Sequence, residues 1–135
     1  MKTKVYFAHP KGYFGTELEK AWIQALKNSD YEVVNPAEEK YQASLGSDIK
    51  AWSKLASDCD AIIVLPFEDG AWGAGLAEEA RTAMEKGKKV FECSSFGVGV
   101  LDEIFEIPED RVLSREATRE RNQKIQKPKK SGLSM

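Results

Sequence analysis

The feature that most constrains the fold of this chain is an unbroken apolar run, Ala61–Leu65, which ends at Pro66. A continuous apolar run of this length is typical of a strand that is covered on both faces, as in a parallel sheet. Residues 68–75 follow as a flexible, acidic turn whose three glycines let the backbone come close to a ligand. Residues 76–86 are good helix formers, and Gly87 is suited to cap their helix at its C-terminus. The segment therefore predicts a buried strand, a glycine-rich turn and a helix in direct succession.

The rest of the chain also alternates between strand-like and helix-like segments. Short, mostly apolar segments predict strands at residues 4–8, 31–34 and 89–92, with a short edge strand near residues 103–106 and a further extended piece at residues 111–113. Apolar spacing and N-terminal caps predict helices at residues 16–28, 48–57 and 114–126. The first of these helices opens with a capping box, formed by Thr16 and Glu19. Residues 37–47 are polar, show no clear period and are predicted to form a loop.

Connections of this length between successive strands imply parallel pairing with right-handed crossovers. The expected class is therefore α/β, and the expected architecture has three α/β/α layers. We predict a doubly wound, flavodoxin-like parallel sheet of four to five strands.

The chain has 135 residues, which is enough for one domain with a single core. Its net charge of −2 is unevenly distributed, because residues 111–135 hold eight basic and two acidic groups, a charge of +6 that leaves −8 on residues 1–110. An acidic body argues against nucleic acid as the main partner. We expect one domain over residues 1–126, followed by a disordered basic tail at residues 127–135.

Two further patterns exclude classes of function. No apolar run approaches the roughly 20 residues that a membrane-spanning helix needs, and the N-terminus lacks the apolar segment of a signal peptide, so no membrane partner is expected. Cys59 and Cys93 are the only cysteines and lack the spacing of metal ligands. Two reduced thiols suit a cytoplasmic protein, and neither a metal site nor a cofactor is predicted.

Ligands of doubly wound sheets bind beyond the carboxyl ends of the strands, where the strand order reverses. Four loops meet there in this chain, at residues 9–15, 36–47, 67–75 and 93–97. Helix N-termini at Thr16 and Gly73 can bind phosphate. The loops form a glycine-rich, aromatic pocket of mixed charge, which suits a small anionic ligand with a planar part. The candidate ligand-binding residues are His9, Lys11, Gly12, Tyr13, Glu68, Asp69, Trp72, Gly73, Gly75 and Ser94.

The helix after the glycine-rich turn carries two adjacent glutamates. At about 100° per residue, Glu78 points away from the apolar face, whereas Glu79 lies at the edge of that face, one turn after Gly75. Glu79 can therefore be partly desolvated and still reach the turn. A desolvated carboxylate beside a sugar can attack the anomeric carbon or stabilise an oxocarbenium-like transition state. Asp69 or Glu68 could bind sugar hydroxyls or handle the proton, and spacing alone fixes neither role.

Several segments together resemble the nucleoside 2-deoxyribosyltransferase-like superfamily, which includes the deoxynucleoside 5′-monophosphate N-glycosidases. They are Val5–Ala8 with its glycine-containing loop, Asp58–Val64, and the glycine-rich turn with a helix glutamate before Gly87-Lys88. The resemblance covers roughly residues 3–95 and implies a flavodoxin-like homodimer. It also implies that the helix glutamate, matched by Glu79, is the nucleophile. Members of the family have an aspartate that assists with the base. Its position corresponds to Trp52 of this chain in an alignment without gaps, and to Asp48 after a shift of one helical turn.

The expected function is hydrolysis or transfer of the N-glycosidic bond of a (deoxy)nucleoside 5′-monophosphate, with Glu79 as nucleophile. We expect Lys11 and the helix N-terminus at Gly73 to hold the phosphate, and Tyr13 or Trp72 to stack on the base. The expected partner is thus a small nucleotide or nucleoside, bound by a homodimer or higher homo-oligomer. Two alternatives stay open: a nucleotide-binding or sensor module without catalysis, and an NAD-type glycohydrolase.

Overall fold

The computed structural model describes residues 2–126 as one five-stranded sheet with helices on both faces. The strands are β1 (Thr3–Ala8), β2 (Tyr31–Val34), β3 (Ala61–Val64), β4 (Lys89–Cys93) and β5 (Leu101–Ile104). The helices are α1 (Glu17–Asn28), α2 (Glu39–Leu45), α3 (Ile49–Ser57), α4 (Ala74–Glu85) and α5 (Arg115–Gln126), with short 3₁₀ helices at Lys11–Tyr13 and Glu109–Arg111. None of the helices within the described residues is long and apolar enough to cross a membrane. The tail predicted at residues 127–135 lies outside the described residues.

The strand order is β2-β1-β3-β4-β5, which is the flavodoxin-like order. The first four strands are parallel, and Val5 of β1, for example, pairs with Ala61 of β3. The prediction of a doubly wound, flavodoxin-like fold is confirmed. Strand β5 differs from the predicted parallel edge strand in two ways. It pairs antiparallel with β4, and it begins two residues earlier than predicted. The connection between them, residues 94–100, is shorter than the dozen or so residues that a parallel crossover needs.

Successive residues of β1 enter two separate cores, because side chains along a strand point to opposite faces. On one face Tyr6 packs with the side chains of β3 and β4 under α3 and α4. On the other face Phe7 packs with Trp22 and Leu26 of α1. Complete burial of such a side chain contributes about 1.5–3 kcal/mol. Both cores therefore fix β1, and the loop that follows Ala8 starts at the sheet's carboxyl edge between β2 and β3.

Some helix limits differ from the prediction for identifiable reasons. Helix α1 begins as expected, with the Thr16 hydroxyl accepting a hydrogen bond from the backbone N–H of Glu19 at 3.3 Å. Helix α4 begins at Ala74, about two residues earlier than predicted, with Gly73 as its extended N-cap. The segment predicted as a loop at residues 37–47 contains α2. None of its residues is fully buried, and Tyr41 packs against the core while only partly buried, so the apolar signal of this short helix is weak.

Helix α5 is attached to the loop after β1 and to the start of α4, both at the carboxyl edge of the sheet. The Asn122 side-chain oxygen accepts a 2.8 Å hydrogen bond from the backbone N–H of Gly12, and the Thr118 hydroxyl accepts one of 2.9 Å from that of Ala74. A Cβ atom at Gly12 would lie 2.9 Å from the Cβ of Ile125, so the close packing of the loop on α5 requires glycine. Helix α5 therefore closes one side of the space beyond the strands.

Candidate active site

A cavity of about 620 Å³ lies beyond the carboxyl ends of β1 and β3. These neighbouring strands mark the reversal of strand order, because the chain adds β2 on one side of β1 and β3 on the other. The walls come from the loops after β1, β2 and β3, from the first turns of α3 and α4, and from one face of α5. The volume is within the range of roughly 300–1,000 Å³ that is usual for pockets that bind small molecules.

Glu79, in the second turn of α4, lines the part of the cavity that borders the sheet. The Tyr6 hydroxyl donates a 2.9 Å hydrogen bond to Oε2 of Glu79. Tyr6 is almost completely buried within β1, so its hydroxyl has a fixed position. Glu79 is itself half-buried. In contrast, the neighbouring Glu78 is exposed and accepts a hydrogen bond from Arg81 at 3.1 Å. The two adjacent carboxyl groups thus have different environments.

Burial raises the pKa of Glu79 to about 8, although the hydrogen bond from Tyr6 and the positive charge of Lys11 act in the opposite direction. Burial, together with the nearby charge of Glu79, raises the pKa of Tyr6 far above its usual range, so the hydroxyl remains a donor. At neutral pH the Glu79 carboxyl is therefore mostly protonated and loses its proton near pH 8. In the ionised form it can act as a nucleophile, and in the protonated form as an acid.

One wall of the cavity comes from residues 36–52 and combines apolar side chains with the polar Gln42 and Ser47. Its largest member is Trp52 of α3, which is half-buried. The indole N–H of Trp52 donates a 2.9 Å hydrogen bond to the carbonyl oxygen of Gly46, and this bond fixes the orientation of the ring. Pro36 and Ile49 lie beside it in the wall. A planar group can stack on a ring held in this way.

A second wall is polar and positively charged. It consists of one face of α5, with side chains at the helical spacing of three and four residues. Lys11, in the loop after β1, lies in the same cavity. The lining residues of α5 are Arg115, Thr118, Arg119, Asn122 and Gln123.

Five of the residues predicted from the sequence line the cavity: His9, Lys11, Gly73, Gly75 and Glu79. The two ring nitrogens of His9 contact acceptors, the carbonyl oxygen of Phe7 at 2.8 Å and the carboxylate of Glu19 at 2.6 Å. Both nitrogens are thus engaged, and His9 fixes the loop. A Cβ atom at Gly75 would meet nothing within 4 Å, so the helix start leaves open space here for a ligand.

Two predicted acids lie outside the cavity because each has a structural partner. Asp69 forms hydrogen bonds of 2.7 and 3.0 Å with Arg121, and this contact lowers the pKa of Asp69 to about 2. Asp48 is the N-cap of α3, and its carboxylate accepts hydrogen bonds from the backbone N–H groups of Lys50 and Ala51. In the structure Asp69 and Asp48 thus make structural contacts and do not line the cavity, and a catalytic role for either stays a prediction.

The two aromatic residues that the sequence suggested for stacking are also outside the cavity. Trp72 is 0% exposed, belongs to the core under α4 and donates its indole N–H to Glu92 at 2.9 Å. Tyr13 packs edge-to-face with Phe67, at 6.2 Å between ring centroids. Their assignment to base stacking is corrected, because no face of the Trp72 ring is accessible and Tyr13 does not line the cavity.

Three further predicted residues are likewise absent from the cavity lining. Gly12 lies against Ile125 of α5, as described above. The side chain of Glu68 is exposed. The Ser94 hydroxyl accepts a 3.0 Å hydrogen bond from the backbone N–H of Phe96, within the turn between β4 and β5. That turn leads to the antiparallel strand at the far edge of the sheet, which removes Ser94 from the switch point.

Sequence reasoning matched Trp52 only to the position of the family's aspartate, so it missed the aromatic surface that Trp52 gives the cavity. It also missed the polar face of α5. Trp52 is one of the apolar residues in the helix predicted at residues 48–57, and its side chain contacts the core as well as the cavity. The signal for α5 was present, since polar residues recur at positions 115, 118, 119, 122 and 123. What the sequence did not contain was the direction in which that face points.

A scan against protein-family models and a search of curated proteins both found no match for this chain. Within the part of the chain that the structure describes, no group of three or more His, Cys, Asp or Glu side chains could hold a metal ion. The interpretation of the site therefore depends on its own geometry and on the resemblance of the sequence motifs.

Proposed function

We propose that this protein is an N-glycosidase that hydrolyses, or transfers, the N-glycosidic bond of a (deoxy)nucleoside 5′-monophosphate. One observation carries the proposal: a half-buried carboxyl group, Glu79, borders a 620 Å³ cavity at the switch point of the sheet. The hydrogen bond from Tyr6 holds this carboxyl group in a fixed position. The resemblance to the nucleoside 2-deoxyribosyltransferase-like superfamily indicates the same residue as nucleophile.

In the proposed reaction, a carboxylate oxygen of Glu79 forms a bond to the anomeric carbon of the sugar. The bond from that carbon to the base nitrogen breaks, and its electron pair leaves with the base, which takes up a proton. Water then attacks the anomeric carbon, releases the sugar phosphate and restores the carboxylate. Because Oε2 accepts the hydrogen bond from Tyr6, we expect Oε1 to be the reacting oxygen.

The base requires a flat, apolar surface, and Trp52 supplies one. Its ring lies in the wall of residues 36–52 and is fixed by the hydrogen bond to Gly46. Stacking of a base on an aromatic ring contributes about 1–3 kcal/mol. In the proposal, Trp52 takes the role that the sequence suggested for Tyr13 or Trp72.

A second candidate function, nucleotide binding without turnover, is favoured by one specific observation. Among the described residues, Glu79 is the only acidic side chain in the cavity lining. The predicted helpers Asp48 and Asp69 are engaged in a helix cap and an ion pair. The leaving base would then take its proton from water or from a group that is not a carboxyl. Cleavage would therefore be slow for bases that are poor leaving groups.

The test is release of free base from a panel of ribo- and deoxyribonucleosides, their 5′-monophosphates and NAD, measured by chromatography. We expect free base from at least one 5′-monophosphate, at a higher rate than from the matching nucleoside. Release of nicotinamide from NAD alone would indicate an NAD-type glycohydrolase instead. A compound that raises Tm and remains intact would support the binding module. Absence of free base from every compound would contradict the proposal.

The pH dependence of kcat/KM tests the protonation state that the nucleophile needs. Because the pKa of Glu79 is raised to about 8, we expect kcat/KM to rise about tenfold per pH unit below pH 8 and to level off above it. Lys11 lowers this pKa, so Lys11→Met should move the profile to higher pH. A kcat/KM that falls between pH 6 and pH 8 would assign Glu79 the role of an acid.

A further inference from the structure

The cavity is positively charged although most of the protein is acidic. Lys11, Arg115 and Arg119 line it, whereas Glu79 is the only acid in its lining within residues 2–126. The first 110 residues together carry a net charge of −8. A local excess of cations with apolar walls raises the concentration of anions at that place. The ligand of this cavity is therefore expected to have an anionic end.

The two arginines of the cavity differ from the other arginines of the described chain. Arg81, Arg111 and Arg121 each pair with a carboxylate, at 2.7, 2.9 and 2.7 Å respectively. Arg115 and Arg119 are exposed, and no carboxylate of residues 2–126 pairs with either of them. They lie one helical turn apart on α5, a spacing that puts their Cβ atoms about 5–6 Å from each other.

We propose that Arg115 and Arg119 bind a phosphate group of the ligand. They would thereby make the site selective for a phosphorylated substrate over the matching nucleoside. The proposal rests on the proposed function for the position of the sugar, at Glu79. It assigns the phosphate to α5, a helix that the sequence motifs did not include in the site. A planar guanidinium can donate two parallel hydrogen bonds to one phosphate, and a pair of them can hold all three terminal oxygens.

The placement of α5 supports this assignment. Asn122 and Thr118 attach the helix to the loop after β1 and to the start of α4, the same two elements that carry Lys11 and Glu79. The helix that carries the arginines is thus attached to the elements that carry Lys11 and the reacting carboxyl group. The wall with Trp52 comes from a different part of the chain, so the cavity has separate surfaces for the base and for the phosphate.

The experiment is isothermal titration calorimetry on the Glu79→Gln chain, which prevents turnover during the measurement. The probes are the four common deoxyribonucleosides, their 5′-monophosphates and inorganic phosphate. We expect at least one monophosphate to bind about tenfold or more tightly than its nucleoside. Adding Arg115→Gln and Arg119→Gln should remove that difference and leave the affinity for the nucleoside unchanged. Inorganic phosphate alone should bind weakly, because it lacks the contacts of the base.

Lys124→Gln is the matched control, since Lys124 is an exposed cation on the same helix that does not line the cavity. It should leave all affinities unchanged. Equal affinities for nucleoside and monophosphate would overturn the proposal. An equal loss of monophosphate affinity in the Lys124→Gln variant and in the double arginine variant would also overturn it. Such a result would mean that only the overall charge of the protein affects binding. Since binding is measured without turnover, this result is independent of whether Glu79 cleaves the bond.

Discussion

Replacing Glu79 with glutamine is expected to lower kcat for base release by about a thousandfold or more, because an amide cannot act as the nucleophile. Glutamine has nearly the same size, and its side-chain oxygen can still accept the hydrogen bond from Tyr6. The cavity should therefore keep its shape, and a nucleotide should still bind. The measurement is the rate of base release at saturating nucleotide, together with the Kd of the same nucleotide.

Glu78→Gln is the control for this experiment. Glu78 is the adjacent residue of α4, but it is exposed and its partner is Arg81. We expect its variant to retain full activity. If Glu79→Gln kept wild-type kcat, or if both variants lost activity equally, Glu79 would not be the nucleophile.

The same variant also reports whether Glu79 is buried. In the folded protein the pKa of Glu79 is about 8, above the ordinary value of 4.5, so the folded state binds the proton more tightly than the unfolded state. Its contribution to stability is complete below pH 4.5 and is lost as the pH rises to 8. Relative to wild type, Glu79→Gln should thus gain stability between pH 5 and pH 8.5, by on the order of 4 kcal/mol. Urea unfolding at pH 5 and pH 8.5 measures the difference.

Trp72→Ala is expected to destabilise the fold by about 3–5 kcal/mol, which is the usual cost of emptying a large aromatic site in a core. The Trp72 ring is 0% exposed, and its N–H bonds to Glu92. Its removal would leave a cavity and would take one of the hydrogen-bond donors from that carboxylate. The free energy of unfolding in urea is the measurement.

Trp52→Ala is the matched comparison, because it removes the same side chain from a half-buried place beside the cavity. We expect a smaller loss of stability and a loss of about tenfold or more in affinity for a nucleotide. A Trp72→Ala protein as stable as wild type would contradict the assignment of Trp72 to the core. A Trp52→Ala protein with unchanged nucleotide affinity would contradict the assignment of Trp52 to the base.

Much of the fold could be predicted because its signals are local. The run Ala61–Leu65 is apolar throughout, since β3 is covered on both faces, and no tertiary contact is needed to interpret it. Helix α2 and the direction of β5 could not be predicted with the same rules. The helix is short and has no fully buried residue, and the pairing of β5 depends on which strand it meets.

The candidate site was predicted less completely, because most of its loop residues have partners that are distant in the sequence. Asp69 and Arg121 are 52 positions apart, and Ala74 and Thr118 are 44 positions apart. A loop acid can face a ligand or an arginine, and its own neighbours in the chain do not distinguish the two. The same holds for a loop tryptophan such as Trp72.

By itself the sequence determined the α/β class, the doubly wound order of elements, and the side of α4 on which Glu79 lies, since each follows from the periodicity of a strand or a helix. Only the tertiary structure decided which side chains share the cavity with Glu79. In the folded protein Trp72 lies in the core, and Asp69 and Asp48 form structural contacts. Trp52 and the arginines of α5 line the cavity. The physical reason is that periodicity fixes the direction of a side chain relative to its own element, whereas the partner it meets depends on how the elements pack.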